Sequence, residues 1–157
     1  MHYIDMAIVK VPDPLLKKKL APVSASALKE GKLHELIERM RKDMVANNGI
    51  GLAANQVGED LALFVIDAEL AKENGVSDVF ANPHITTSSD EQEELEEGCL
   101  SIPGYWVVLQ RSKKIMFKAL DGTGAKVKFR ARGMLARVLQ HETDHLNGVT
   151  IRQRSTQ

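Results

Sequence analysis

The sequence predicts an α+β fold in which antiparallel or mixed β-sheets pack around a helix close to the C-terminus. Three observations support this fold class. An early helical pattern precedes several short apolar runs, a turn joins the last two of these runs, and a second helical pattern closes the chain. At 157 residues the chain is long enough for one well-packed domain and short for two. We therefore expect a single domain over residues 1–157.

Composition narrows the classes of function. Lys plus Arg and Asp plus Glu both number 21, so no overall field favours nucleic acid or an anionic membrane as a partner. A single cysteine excludes an internal disulfide and is typical of a reducing compartment. No apolar run approaches the roughly 20 residues that span a bilayer, and the start does not resemble a signal peptide. We expect a monomeric, cytoplasmic protein, with an organellar matrix as the alternative.

Hydrophobic periodicity predicts the elements of the first half. Residues 7–11 are expected to form a short strand, and apolar residues at helical spacing predict an amphipathic helix over 33–45. The apolar runs at 61–66 and 79–81 are interpreted as strands, and the polar segment 68–78 as a loop.

The second half begins with an acidic segment, residues 90–97. We interpret it as an exposed rim, because it lacks the aspartate pattern of a calcium loop. Strands are expected at 106–109 and 114–120. Asp121-Gly122-Thr123-Gly124 is a turn signal before a returning strand at 127–130, so the last two strands should form a hairpin.

The closing helix is expected to begin at Gly133 and to end at Asn147-Gly148, a left-handed stop signal. One stripe along this helix is apolar at its N-terminal end and carries histidines at the other end. It consists of Met134, Val138, His141 and His145.

The segment from His141 to His145 has the form H-E-x-x-H. Histidines at i and i+4 lie on one helical face, so both can bind the same metal ion, and Glu142 beside them can act as a base on water. Two hydrogen-bonded core histidines are the alternative interpretation. A catalytic metal site usually takes three protein ligands, so one more is needed.

The third ligand must lie upstream. A metzincin would place a histidine where Ile151 stands, and no His or Glu follows His145. Cys99 is the strongest candidate, because it lies beside a glycine and because a thiolate with two imidazoles suits zinc or ferrous iron. A buried apolar role and a nucleophilic role remain open for this cysteine. Weaker candidates for the third ligand are His2, His34 and His84.

The loop at 49–56 contains two glycines around Ile50. This spacing predicts unusual backbone angles or the close approach of another chain, and a helix stop followed by an ordinary turn is the alternative. The loop has neither the GxGxxG spacing nor a Lys-Ser or Lys-Thr pair, which argues against a nucleotide site.

Three segments together resemble, in order and spacing, the motifs of the peptide deformylase family. They are G-I-G-L-A-A-N-Q at 49–56, E-G-C-L-S at 97–101 and Q-H-E-T-D-H at 140–145. The similarity extends over nearly the whole chain and implies a peptide deformylase-like fold. It also implies one divalent metal ion, natively Fe²⁺ in many members and Zn²⁺ in others, with Ni²⁺ or Co²⁺ as further options. The implied metal ligands are Cys99, His141 and His145.

The reaction implied by this resemblance is hydrolytic removal of the formyl group from the N-terminal formyl-methionine of a new polypeptide, with release of formate. The resemblance assigns the base to Glu142. It assigns stabilisation of the oxyanion to the side-chain amide of Gln56 and to the backbone N–H of Leu100.

The expected partner is an N-formylmethionyl peptide in extended conformation. The backbone around Ile50, Gly51 and Gly98 is open enough to pair with such a peptide as an added strand. Met134 and Val138 are expected to form, with Ile50, the wall of a methionine-sized pocket.

Other residues leave alternatives open. Arg137 is interpreted as pocket rim or surface, and Asp144 with Arg111 as a pair that orients a ligand or as an ordinary ion pair. Gly104-Tyr105-Trp106 departs from the polar or charged residues of many members. Only nine residues follow Gly148, whereas many bacterial members continue into a helix that docks on the ribosome, so ribosome association has no support here. A different metallohydrolase and a non-catalytic binding protein are the alternative functions.

Overall fold

A computed structural model describes residues 8–155 of the chain. Seven strands and five helices follow one another along these residues, with two short 3₁₀ turns at Pro14–Lys17 and Ala54–Val57. The helices are α1 (Ala25–Lys29), α2 (His34–Ala46), α3 (Ala68–Glu73), α4 (Gly133–Leu146) and α5 (Ile151–Ser155). The strands are β1 (Gly51–Ala53), β2 (Leu63–Ile66), β3 (Val79–Ser88), β4 (Gln92–Cys99), β5 (Ile102–Ser112), β6 (Lys114–Asp121) and β7 (Lys126–Arg132).

The strands form two antiparallel sheets. Five of them lie in the order β1-β2-β3-β6-β7, and β4 pairs with β5 in a separate two-stranded sheet. The predicted α+β class with sheets around the H-E-x-x-H helix is therefore confirmed, and so is the predicted hairpin, as β6 and β7.

Helix α4 packs on one face of the five-stranded sheet, and α2 packs on the part of the other face that β1 and β2 form. On one face, Leu135 and Leu139 of α4 pack in a cluster with Phe64, Phe80 and Phe117. On the other face, residues of α2 pack against the opposite side chains of β2, since successive side chains of a strand point to opposite faces. The helix that carries the histidines is thus anchored by a layer of aromatic side chains.

Some predicted elements are correct and others are wrong. The helix over 33–45 is confirmed as α2, but the segment 68–78 is not a loop, because its first part forms α3. The Asp67 side chain accepts a hydrogen bond from the Leu70 backbone N–H at 3.0 Å and caps this helix. Residues 8–11 are not a strand, and residue 7 lies outside the described part of the chain.

The acidic segment 90–97 is also different from the expected exposed rim. Most of its residues are exposed on β4, but Glu97 at its end is buried beside the closing helix. The strands on either side are longer than predicted, since β3 continues to Ser88 and β5 begins at Ile102.

Glycines set both ends of α4 as predicted. Gly133 and Gly148 have φ angles of 63° and 76°, in the left-handed region that favours glycine. A Cβ on Gly148 would lie 2.5 Å from the backbone carbon of Lys17, so a side chain has no room there. Within residues 8–155, no helix combines the length and the apolar character needed to cross a membrane.

Candidate active site

The three sequence segments that resemble one family meet at one place in the fold. The segment 49–56 contributes β1 and the following 3₁₀ turn, the segment 97–101 contributes the end of β4, and α4 contributes the H-E-x-x-H face. All of them line one cavity of about 630 Å³.

Cys99, His141 and His145 come together beside this cavity, and the first two line it. Their potential ligand atoms all lie within 4.8 Å of one another, and the Cys99 Sγ is 3.3 Å from the His145 Nε2. Zinc bonds of about 2.3 Å to sulfur and 2.0–2.1 Å to nitrogen in a tetrahedral site would place such a pair about 3.6 Å apart. The donor set and its spacing therefore fit one divalent metal ion.

Glu97 orients the first histidine. Its Oε1 lies 2.9 Å from the His141 Nδ1, which leaves Nε2 as the ring nitrogen available to a metal. The same carboxylate accepts hydrogen bonds from Arg111 at 2.6 and 3.0 Å and from Arg137 at 2.5 Å. Of the two interpretations of Arg137, as pocket rim or as surface, the surface position is wrong, because this guanidinium is buried and bound to Glu97, and the residue lines the cavity.

The predicted contact of Arg111 with Asp144 is also present, at 2.9 Å. Asp144 in turn accepts hydrogen bonds from Arg154 of α5. A chain of charged groups therefore runs from α5 through Asp144 and Arg111 to Glu97 and ends at the ring of His141.

Glu142 is buried beside this cluster and lines the cavity. It is only 2% exposed, and its Oε2 has no hydrogen-bond partner among the described residues. Its Oε1 is 3.8 Å from the His141 Nε2. Such an unpaired buried carboxylate oxygen is unusual and fits a group that handles a proton of a reactant.

The surroundings shift the pKa values of these groups in different directions. Burial raises the pKa of Glu142 to about 7, close to the value that suits a general base. Burial opposes the charged form of Glu97 too, but hydrogen bonds from His141 and Arg111 hold the pKa of this carboxyl well below its usual range. Burial lowers the pKa of His145, which keeps its imidazole neutral as a metal ligand requires.

The absence of a side chain at Gly51 leaves room for the Glu142 side chain. A Cβ on Gly51 would lie 3.0 Å from the Cδ and Cγ atoms of the glutamate, closer than ordinary contact distance. The glycine was predicted to bind substrate, and the structure places it against Glu142 and on the wall of the same cavity.

Gln56 is fixed in a defined orientation. Its Oε1 accepts a hydrogen bond from the Ala53 backbone N–H at 3.0 Å, and its Nε2 donates to the Ser101 hydroxyl at 3.1 Å. The same Nε2 lies 3.7 Å from the Cys99 Sγ, so the amide points to this thiol. Leu100 follows Cys99 in the turn between β4 and β5 and also lines the cavity.

The sequence did not predict three residues that hold the candidate site residues in position. Glu97 and Ser101 stand inside the E-G-C-L-S segment, and Asn55 precedes Gln56 and donates to the His145 carbonyl at 2.9 Å. Their position beside candidate ligands was the only available signal, because the pairing of Glu97 across to α4 is a property of the tertiary structure.

The remaining predicted residues line the outer part of the cavity. Ile50 and Met134 are about half exposed at its rim, at 50% and 45%, whereas Val138 is buried in its wall. Gly98 pairs with Trp106 in the two-stranded sheet, and a Cβ on this glycine would lie 2.6 Å from the indole ring. The indole therefore occupies the space that a side chain at position 98 would need.

Two helical histidines, a thiol, a buried glutamate and a cleft with open backbone define a metal-dependent hydrolase. The family model for polypeptide deformylase matches residues 6–157. The peptide deformylase of Dictyoglomus thermophilum is 44% identical over 154 residues, which are 96% of this chain and 92% of that one.

Solved structures agree with this match. The chain resembles the crystal structure of peptide deformylase from Thermotoga maritima, with a TM-score of 0.85, 41% identity and coverage of 98% of both chains. The Met-Ala-Ser-bound class I type b peptide deformylase from Acinetobacter baumannii is 31% identical with a TM-score of 0.85, over 98% of this chain and 99% of that one.

The chain belongs to the peptide deformylase family. It is a metal-dependent hydrolase that removes the formyl group from the N-terminal formyl-methionine of nascent polypeptides and releases formate.

Proposed function

We propose that Cys99, His141 and His145 hold the metal ion of this deformylase. The observation that carries the proposal is the convergence of one thiol and two imidazoles within 4.8 Å, with Glu97 orienting the first imidazole. A thiolate with two nitrogen ligands suits ferrous iron and zinc, and we propose Fe²⁺ as the native ion, with Zn²⁺, Ni²⁺ or Co²⁺ as replacements. When bound, the ion supplies a Lewis acid that polarises the formyl oxygen and lowers the pKa of water.

Glu142 is the general base of the proposed mechanism. Burial raises its pKa to about 7, so near neutral pH the carboxylate can accept a proton from the attacking water and later donate it to the departing amine. Because Glu142 is buried against Gly51 at the wall of the cavity, the carboxylate is held in position there.

We propose that two donors, from Gln56 and Leu100, stabilise the oxyanion that develops on the formyl group. Hydrogen bonds with Ala53 and Ser101 direct the Gln56 Nε2 to the Cys99 Sγ. The backbone N–H of Leu100 lies in the turn between β4 and β5, directly after Cys99. Such preorganised donors contribute about 3 kcal/mol each to transition-state stabilisation.

The cavity explains how an extended peptide would bind. We assign Val138, Met134 and Ile50 to the pocket for the methionine side chain, because they line one wall in order from buried to half-exposed. Gly51 and Gly98 line the cavity, and we propose that their backbones pair with the peptide as an added strand.

Trp106 forms the outer end of this binding surface. Its indole is 65% exposed, lies on Gly98 and lines the cavity, so side chains beyond the second residue of the peptide would meet an aromatic surface. We also propose that residues 1–157 form one catalytic domain, since the two larger of the three core clusters in the described part pack on the same five-stranded sheet.

The decisive test is release of a free amine from formyl-Met-Ala-Ser by enzyme prepared without oxygen. Deformylation predicts metal-dependent amine release from the formylated peptide and no cleavage of unblocked Met-Ala-Ser or longer unblocked peptides. Hydrolysis of peptide bonds alone, or no reaction with either substrate when one metal per chain is bound, would contradict the proposed site chemistry.

A further inference from the structure

The charges of this electrically balanced chain are segregated in the fold. Residues 113–132, which form β6, the turn and β7, contain seven Lys and Arg and a single acidic residue, Asp121. β4, by contrast, carries four glutamates. The equal totals of 21 cations and 21 acids therefore conceal a strongly basic surface, which the composition alone did not predict.

The cations of β7 occupy alternate positions. Val127, Phe129 and Ala131 pack on the core, so the residues between and beside them point outward and are exposed. At about 3.4 Å per residue, the outward row is about 20 Å long. This row, together with Lys118 from the middle of the neighbouring strand β6, is termed the basic face: Lys118, Lys126, Lys128, Arg130 and Arg132.

Strand pairing brings like charges of the basic face together. Lys118 lies directly opposite Lys128, and Lys114 lies opposite Arg132. Like charges in such positions destabilise a sheet. None of the five residues of the basic face forms an ion pair with any residue in 8–155. The fold thus tolerates an uncompensated repulsion that an anionic partner would relieve.

Protection of a sheet edge does not account for the pattern. β7 is an edge strand, and lysines on such strands prevent pairing with other chains. Charges of either sign would prevent pairing with other chains, and side chains of opposite sign would also attract one another across the β6–β7 pair. Lys118 lies on β6, which is paired on both sides and has no open edge.

We infer that the basic face binds the phosphate backbone of RNA. A row of cations about 20 Å long fits a linear polyanion better than a single phosphate group. The substrate is a nascent polypeptide, so RNA is the polyanion that surrounds it during synthesis. β7 leads directly into α4, where Met134 lines the active-site cavity, and RNA along β7 would hold the cavity beside an emerging chain.

An anionic membrane fits the same surface less well. Proteins that bind membrane surfaces combine cations with apolar side chains that enter the lipid. None of the exposed large apolar side chains of the described residues lies on β6 or β7. The basic face therefore has the positive charge of a membrane-binding surface but lacks the apolar side chains that would enter the lipid.

The test measures binding of a fluorescently labelled RNA hairpin of about 16 base pairs at several salt concentrations. With about five phosphate contacts, the logarithm of the binding constant should fall with the logarithm of salt at a slope of about −4.5. The triple variant Lys126→Gln/Lys128→Gln/Arg130→Gln should reduce this slope by about 2.7, at 0.9 per lost contact. Its rate with formyl-Met-Ala-Ser should stay that of the parent, which also shows that it folds.

A matched control removes three exposed lysines elsewhere, as Lys17→Gln/Lys19→Gln/Lys72→Gln, and should keep the slope of the parent. The variant Lys126→Arg/Lys128→Arg keeps the charge and should bind RNA like the parent. Equal weakening by the control triple, or an unchanged slope in the β7 triple, would overturn the inference. So would binding to phosphatidylserine vesicles that depends on the same three cations while the RNA does not bind.

Discussion

The Nδ1 atom of His141 lies 2.9 Å from the Oε1 atom of Glu97, which connects the helix of the H-E-x-x-H motif to the end of β4. Arg111 and Arg137 bind the same carboxylate and keep it charged and in place. The orientation of one proposed metal ligand therefore depends on a buried ion cluster that spans β4, β5 and α4.

Replacing Glu97 with glutamine tests this connection. Glu97→Gln should lower the affinity for the metal by about 10- to 100-fold, because it removes the charged partner that orients the imidazole. It should also destabilise the fold by about 3–5 kcal/mol, since two buried guanidinium groups lose their carboxylate. Chelator competition measures the first effect and denaturant unfolding the second. Glu93→Gln on the exposed face of the same strand is the control, and an equal loss there would contradict the orienting role.

Glu142→Gln tests the proposed base. The variant should bind metal like the parent, whereas its turnover of formyl-Met-Ala-Ser should fall by about 10²-fold or more. The measurement combines metal analysis with the rate of amine release. A rate close to that of the parent, with metal bound, would exclude Glu142 as the base.

The same substitution predicts a pH-dependent change in stability of the chelator-treated protein. The pKa of Glu142 rises from 4.5 in the unfolded chain to about 7 in the fold. As pH rises between these values, the unfolded chain releases its proton first, so the free energy of unfolding of the parent falls relative to Glu142→Gln. The full shift corresponds to about 3 kcal/mol at 1.36 kcal/mol per unit. A stability difference independent of pH from 4 to 8 would contradict burial of an ionisable group here.

Gly51→Ala tests the close contact with Glu142. The added Cβ would lie 3.0 Å from two side-chain carbons of the glutamate, so the carboxylate must move. We expect the rate to fall about tenfold or more, since a misplacement on the order of 1 Å costs about 10²-fold. Gly122→Ala is the matched control, because its Cβ would make ordinary contact with Val79 at 3.4 Å. Equal activity of the two variants would remove Gly51 from this role.

Trp106→Ala tests the outer end of the peptide-binding surface. The variant should lose about 3- to 10-fold in kcat/KM for formylated peptides with an aromatic third residue, which corresponds to an aromatic contact of about 0.5–1.5 kcal/mol. Formyl-Met-Ala amide, which ends before this surface, serves as the control substrate and should be unaffected. A uniform loss for both substrates would show that the indole supports the hairpin and does not select the peptide.

Local patterns were sufficient for the elements whose signal lies within a short window. The periodicity of α2 and the glycines at the ends of α4 predicted those helices, because amphipathic spacing and left-handed stops are local properties. The six residues of α3 were missed, because so short a helix depends on the Asp67 cap more than on periodicity.

The sequence predicted those site residues that share a motif. It did not predict those that come together only in the tertiary structure. Helical spacing predicted the roles of His141, Glu142 and His145. Because no further ligand follows His145, the third ligand was expected upstream, at Cys99. Glu97 was predicted to be exposed like its acidic neighbours, because the two arginines that form ion pairs with it come from β5 and α4. The cations of β6 and β7 lie in one stretch of the sequence, but the pairing that brings Lys118 opposite Lys128 is a property of the tertiary structure.

The most direct test of the proposed metal centre is the absorption spectrum of the Co²⁺-substituted protein. Cys99 is the sole thiol of the chain, so a thiolate-to-cobalt charge-transfer band can arise only from this residue. The parent protein with one Co²⁺ per chain should show the band, and Cys99→Ala should lose the band together with tight metal binding. A parent protein that binds one Co²⁺ without the band would contradict the Cys99-His141-His145 site.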